Sequence, residues 1–266
     1  GYRQALESDT MIISRRMEIP CLHRIHDGDP TGYHRISHSI GMSIEINELK
    51  CRLRELNNNG IENGVDDHSI LVTFDDGWSD VLQLSDFFED TEKLQPVLFL
   101  TREQILGNSS LLPLSRLYAW CDSWSINLDE IQHLGISRPA LKSLSQELQH
   151  SILDDLGIPR SMVSDQVLTL VEVAELKQKG WIIASHAHDH HDLRFDDSEE
   201  LLQGLSKARN EIVAFGGEPW LAWPEGRCTM KTCEIAKNAG FTKQFSLDVE
   251  AGHVNHPDLI SRKIWS

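Results

Sequence analysis

Ile70-Leu71-Val72-Thr73-Phe74-Asp75-Asp76-Gly77 is the stretch on which the fold turns. Five apolar or β-branched residues in a row, bounded by a turn signal, have the length and composition of a strand buried on both faces. The run ends at two carboxylates and a glycine. Asp75 and Asp76 therefore sit at the strand's C-terminal edge, where α/β barrels keep their catalytic groups.

Working upstream, Ile19-Pro20-Cys21-Leu22-His23 is a short apolar strand closed by His23 and followed by the turn cluster Asp27-Gly28-Asp29-Pro30. Apolar residues at Ile46, Leu49, Leu53 and Leu56, three to four apart, predict an amphipathic helix that stops at Asn57-Asn58-Asn59-Gly60. Downstream, a helix is expected near 81–88 and a strand at 96–100. Residues 108–170 carry helical patterns (Leu141, Leu144, Leu148, Ile152) and several tryptophans but no chemical motif, and are read as a helical insertion. Beyond it come a helix at 171–179 with Gly180 as its stop, a strand at 181–184, a helix at 201–215, a strand at 220–223, a helix at 230–238 and a strand at 243–247. A last strand is read at 259–262. Strand and helix alternate throughout, which predicts a parallel α/β layer or barrel.

The 266 residues fit one α/β domain, and a hydrophobic fraction of 40% with 25% charged residues is that of an ordinary globular chain. Residues 1–10 read as a tag or leader remnant and 11–266 as the domain. A cytoplasmic protein is expected, with a periplasmic or secreted one as the alternative if a leader preceded Gly1. No apolar run approaches the roughly 20 residues of a membrane span. A formal net charge of -16 disfavours nucleic acid, anionic membranes and strongly anionic polymers as partners, and favours a neutral or amine-bearing substrate. The five cysteines (Cys21, Cys51, Cys121, Cys228, Cys233) lack the spacing of a disulfide or zinc scaffold, and most are expected to be reduced. The oligomeric state is open.

Two elements carry chemistry: Thr73-Phe74-Asp75-Asp76-Gly77, and Ser185-His186-Ala187-His188-Asp189-His190-His191-Asp192-Leu193. Each comes directly after a strand. Two neutral imidazoles and one carboxylate bind a borderline divalent cation and leave positions open for water and substrate, while an adjacent carboxylate can act as base. No phosphate loop, nucleophile elbow or dinucleotide fingerprint succeeds a strand.

These two elements resemble the first and second signatures of the NodB-homology polysaccharide deacetylases (carbohydrate esterase family 4), and Ala222-Trp223-Pro224-Glu225-Gly226 is similar to the third. The resemblance runs from Ile19 to about Arg262, outside the 108–170 insertion, and implies a distorted (β/α)7-type barrel. It further implies Asp75 as catalytic base, and one divalent ion on Asp76, His186 and His190, zinc or else cobalt, nickel, iron or manganese. Oxyanion and substrate contacts would come from Pro224, Glu225 and Gly226. The reaction implied is removal of N-acetyl groups from an amino sugar or N-acetylhexosamine glycan, in bacterial glycan biosynthesis. Asp192 is expected to orient a ligand imidazole, and His188 and His191 to lie outside the ligand set.

The chain departs from that pattern twice. The Arg that usually opens the third signature, and holds the base, is Ala222, so another cation is expected at Asp75, with Arg262 of the last strand as the candidate. The C-terminal Leu-His element that supplies the general acid is absent. One branch of the family resembles a circular permutation with that histidine near the N-terminus, and His23 occupies this place, whereas His253 and His256 fall in a polar loop. Two rivals stand beside this reading: a metal-dependent esterase acting on O-acetyl groups or phosphoesters, and a catalytically inactive carbohydrate-binding homologue, motivated by Ala222.

Overall fold

The computed structural model describes residues 18–30, 34–108, 112–160, 166–247, 254 and 256–266. The expected remnant at 1–10 and His253 lie outside the described residues.

Nine strands are named here: β1 (Pro20–Leu22), β2 (Arg24–His26), β3 (Ser43–Glu45), β4 (Ile70–Phe74), β5 (Leu94–Leu100), β6 (Ile182–Ser185), β7 (Trp220–Ala222), β8 (Lys243–Leu247) and β9 (Leu259–Ile264). Seven of them close into a barrel in the order β1-β4-β5-β6-β7-β8-β9, every pairing parallel. This is the α/β barrel expected from the alternation. β2 and β3 form a separate two-stranded parallel sheet. His23 is the residue at which the chain leaves the barrel for that sheet.

Side chains alternate across a strand, so each barrel strand sends every second residue inward. Val97, Phe99, Ala184, Trp220, Ala222 and Phe245, with Leu71, Ile182 and Ile260, pack as one cluster. A step of two along β4 leads from Leu71 through Thr73 to Asp75, and along β6 from Ala184 to His186. The residues between, such as Val72, Phe74, Leu98 and Ile183, belong to the larger cluster outside the barrel wall. At about 25 cal/mol per Å² of buried apolar surface, these two layers supply the main drive to fold.

Among the described residues the helices are α1 (Arg35–Ser39), α2 (Ile46–Glu62), α3 (Arg102–Ile105), α4 (Pro113–Ser123), α5 (Arg138–Lys142), α6 (Gln146–Asp155), α7 (Leu170–Gln178), α8 (Ser198–Ala214) and α9 (Met230–Asn238). The insertion is helical as expected: α4, α5 and α6 enclose their own apolar cluster of Leu117, Cys121, Ile131, Leu141 and Leu153, with Ile36 of α1. No helix among the described residues is long and apolar enough to cross a membrane.

Two local expectations are corrected. α2 runs through Asn57-Asn58-Asn59-Gly60 to Glu62. Asn57 is buried and its Oδ1 accepts the Lys93 N–H at 2.9 Å, while a Cβ at Gly60 would meet Ile70 Cδ1 at 2.6 Å. These residues serve packing on the strands rather than ending the helix. The segment at 81–88 forms two 3₁₀ turns, Ser79–Leu84 and Phe87–Asp90, instead of an α-helix. The Asp80 carboxylate accepts from Arg24 and, at 3.2 Å, from the Ile25 N–H, which pins the segment to β2.

Candidate active site

β4 delivers Asp75 into the C-terminal mouth of the barrel, and the Asp75 N–H is held by the Leu22 carbonyl at 2.9 Å. The β1–β4 register, Cys21 beside Thr73 and Leu22 beside Phe74, puts His23 level with Asp75. β6 delivers His186, whose N–H bonds the Leu100 carbonyl at 2.7 Å. Asp76, Ala187 and Glu225 come just after β4, β6 and β7 at this mouth, and all three are non-glycine residues with positive φ (69°, 67° and 57°). Backbone strain of this kind persists where surrounding contacts over-determine it, and clusters at functional sites.

Asp76 Oδ1 lies 3.4 Å from His186 Nε2 and 3.2 Å from His190 Nε2. It is buried with no hydrogen-bond partner, and one donor atom from each of Asp76, His186 and His190 falls within 4.8 Å of the others. The His186 ring is fixed from behind, its Nδ1 2.9 Å from the Ala222 carbonyl, which leaves Nε2 facing the site. Burial pushes the Asp76 carboxyl up, but the His190 and His186 imidazoles outweigh it and hold the group well below the carboxylate range. Burial disfavours a charged His190, yet the Asp76 carboxylate overrides this and raises it to about 9. The convergence that draws a proton onto His190 would equally draw a divalent cation, and one carboxylate with two imidazoles is a donor set suited to zinc or a first-row neighbour. These residues fit the ion.

The structure places Arg262 on Asp75. Its Nη1 and Nη2 donate to Asp75 Oδ1 and Oδ2 at 2.7 and 2.9 Å, a bidentate pair, and Nη1 also reaches Thr73 Oγ1 at 3.1 Å. β9 pairs with β1 so that Lys263 lies beside Pro20 and Ile264 beside Cys21, and Cys21 pairs with Thr73. Arg262 thus starts two residues below the level of Thr73, and only a long forked side chain spans the gap. Ala222, fully buried on β7, keeps the barrel interior open for it, and the guanidinium lies 5.3 Å from the Phe99 ring. Burial raises the Asp75 carboxyl, but Arg262 and His186 pull it down to about 2. Asp75 is ionised at any physiological pH.

His23, part-buried, forms a second donor group with Cys21 and Asp75 within 4.8 Å, and its Nδ1 is buried with no partner. Burial lowers His23 below the usual imidazole range, against the pull of Asp76 and Asp75. Pro224, Glu225 and Gly226 form a 3₁₀ turn directly after β7. The Glu225 carboxylate is ion-paired with Lys142 of the insertion.

Asp192 lies elsewhere than expected. Its carboxylate is taken by Arg194 at 2.6 and 2.8 Å and by Arg227 at 3.2 Å, so it braces the end of the histidine loop, and a backbone carbonyl orients His186 instead. His188 and His191 stand apart from the convergence on Asp76: His191 pairs with Asp196 at 2.6 Å and Asp189 at 3.4 Å, and His188 approaches Asp196 at 3.7 Å. Neither is exposed. His256 pairs with Glu234 at 3.1 Å, and none of the five cysteines is in a disulfide.

The sequence reading missed Cys21, whose Sγ sits 3.5 Å from Asp75 Oδ2, although its two-residue spacing from His23 on one strand was a usable signal. It also missed Lys142 and Gln146, which nothing local to the insertion marks.

Residues 159–243 match the family model for polysaccharide deacetylase, a stretch that takes in the histidine loop and the turn after β7. That stretch, about a third of the chain, resembles the polysaccharide deacetylase family. Among solved structures it is similar to the Streptococcus pyogenes deacetylase PplD (14% identity, 93% of this chain and 92% of that one, TM-score 0.54). It is similar also to a de-N-acetylase from Aggregatibacter actinomycetemcomitans (14%, 94% and 94%, TM-score 0.55) and to IcaB from Ammonifex degensii (14%, 94% and 91%, TM-score 0.52). No curated protein matches the chain. At such identities the likeness is one of fold, and it extends over the whole barrel including the parts that the family model leaves unmatched. The Asp75–Asp76 element lies outside that match, so its place in the site rests on the geometry of the barrel mouth.

Proposed function

We propose that this protein is a metal-dependent hydrolase that removes N-acetyl groups from an amino-sugar glycan. The observation that carries the reading is a clamped, ionised Asp75 directly beside the convergence of Asp76, His186 and His190. A base and a candidate cation site share one barrel mouth, as metal-assisted amide hydrolysis requires.

Asp76, His186 and His190 would hold the divalent ion, which when bound supplies Lewis acidity toward the acyl carbonyl and its attacking water. Asp75 accepts the proton of that water. Arg262 keeps both Asp75 oxygens in place and ionised, so the base does not drift toward the His186 imidazole 3.9 Å away. His23, level with Asp75 across β1 and β4, gives a proton to the departing nitrogen, which cannot leave as an amide anion. Burial lowers its pKa, which makes the imidazolium a stronger acid while reducing the fraction protonated near neutral pH. The backbone N–H of Glu225, in the turn after β7, is assigned to the developing oxyanion.

The rival reading, an inactive carbohydrate-binding homologue, rests on Ala222, and the guanidinium of Arg262 on Asp75 speaks for the hydrolase instead. The test is acetate release from chito-oligosaccharides, N-acetylhexosamine precursors and O-acetylated sugars, with and without added zinc, cobalt or manganese. Metal-dependent release from the N-acetylated set is expected. Release from O-acetyl substrates alone would reassign the enzyme as an esterase, and no release from any of them would overturn the reading.

A further inference from the structure

The histidine loop between β6 and α8 is irregular apart from one short 3₁₀ turn, Leu193–Phe195, so the backbone N–H groups of its first half have no ladder to enter. Two N–H groups of the loop are met by the insertion. The Asp192 N–H bonds the Lys142 carbonyl at 2.9 Å, and the His190 N–H bonds Gln146 Oε1 at 3.2 Å. Gln146 is the first residue of α6, capped by Ser145, and is 6% exposed. Its own N–H, one of the donors a helix start leaves unpaired, points at the Asp189 carboxylate at 3.0 and 3.1 Å. Its Nε2 donates to Glu103 Oε2 at 3.0 Å, on α3 just after β5. One side chain and one backbone N–H therefore tie together α3, the insertion and two consecutive residues of the loop, one of them His190.

We propose that Gln146 is a positioning residue for His190, so that the helical insertion sets the metal affinity of the barrel. The inference rests on the metal site proposed above. The physical reason is leverage. Each imidazole must present Nε2 to one point, and an outer contact that fixes a ligand's backbone is worth about 10- to 100-fold in metal affinity. His186 is fixed by the strand it ends and by the Ala222 carbonyl, whereas the His190 backbone hangs on Gln146 from outside the barrel. A Gln at this point supplies an acceptor for His190 and a donor for Glu103 together, which neither a carboxylate nor an aliphatic residue does.

The test is zinc affinity of the full chain by chelator competition, with unfolding of the metal-free protein measured in parallel. Gln146→Met keeps length and bulk but removes both hydrogen bonds, and should weaken zinc binding about 10- to 100-fold. Gln146→Asn, one methylene short of His190, should do the same and serves if the Met variant fails to fold. Glu103→Gln alone should leave affinity within about threefold, because its oxygen still accepts from Gln146. The pair Gln146→Glu with Glu103→Gln reverses the donor and acceptor roles while keeping an acceptor for the His190 N–H, and should recover affinity relative to Gln146→Met. Recovery there separates positioning from a general packing role. Wild-type affinity in a folded Gln146→Met or Gln146→Asn protein would overturn the inference while leaving the metal site standing. Wild-type protein that binds no zinc would overturn both.

Discussion

Replacing Arg262 by Met probes the most buried ion pair of the barrel. Arg262 is 1% and Asp75 3% exposed, and two hydrogen bonds of 2.7 and 2.9 Å join them. Methionine keeps an apolar stem near Phe99 but leaves the Asp75 carboxylate facing the weakly donating Cys21 thiol at 3.5 Å. Removing one partner of such a pair costs about 3–5 kcal/mol, against about 0–1 for an exposed pair. The pKa offers a second gauge: a carboxyl brought from 3.8 to about 2 corresponds to about 2 kcal/mol at neutral pH. This figure is the smaller because it is already net of the burial cost that the variant leaves uncompensated. The folded pKa lies below the unfolded one, so the contribution is complete above about pH 5 and is lost as pH falls through about 2. The assay is urea unfolding of metal-free protein at pH 7 for wild type, Arg262→Met, Asp75→Leu and the double variant. The single Arg variant should lose about 3–5 kcal/mol, and the double should recover most of it, because a buried pair replaced by apolar groups is near neutral. A loss under about 1 kcal/mol, or a double variant as unstable as the sum of the singles, would refute the reasoning.

Three further outcomes are expected. His186→Ala should lose most of the bound metal in elemental analysis, and stoichiometric binding that survives removal of both His186 and His190 would remove the site. His23→Ala should stay folded and metal-loaded while turnover falls about 10²- to 10⁴-fold, the usual worth of a positioned acid; near wild-type turnover, measured where chemistry limits the rate, moves the acid elsewhere. Gly226→Ala places a Cβ 2.7 Å from Leu247 Cγ and 2.8 Å from its backbone N at a φ of 68°, and should cost about 1–3 kcal/mol in denaturant unfolding. A cost under about 0.5 kcal/mol there would show that the turn after β7 yields freely.

The strands that bear Asp75, His186 and the turn at 224–226 were legible because a buried strand announces itself within five or six residues, and the candidate site lies simply where it stops. The 81–88 segment and the end of α2 were misread because their outcomes depend on remote partners. Asp80 is drawn to Arg24, and Asn57 to Lys93, contacts 56 and 36 residues apart in sequence. Local propensity is blind to both. Asp192 was misplaced for a different reason: Arg194, two residues away, takes both carboxylate oxygens, and Arg227, 35 residues away, adds a third contact.

By itself the sequence determined the features that short-range periodicity encodes: a parallel α/β fold, a helical insertion, and two strand ends rich in carboxylate and imidazole. It also left a vacancy at Ala222 and a long cation on the last strand. That Arg262 fills the role across 187 residues was decided by barrel closure, because the offset between β9, β1 and β4 exists only once the strands have paired. The grip of Gln146 on His190 was likewise decided by where the insertion docks. Periodicity along one segment states which face is buried, but it carries no information on which distant segment arrives to meet it.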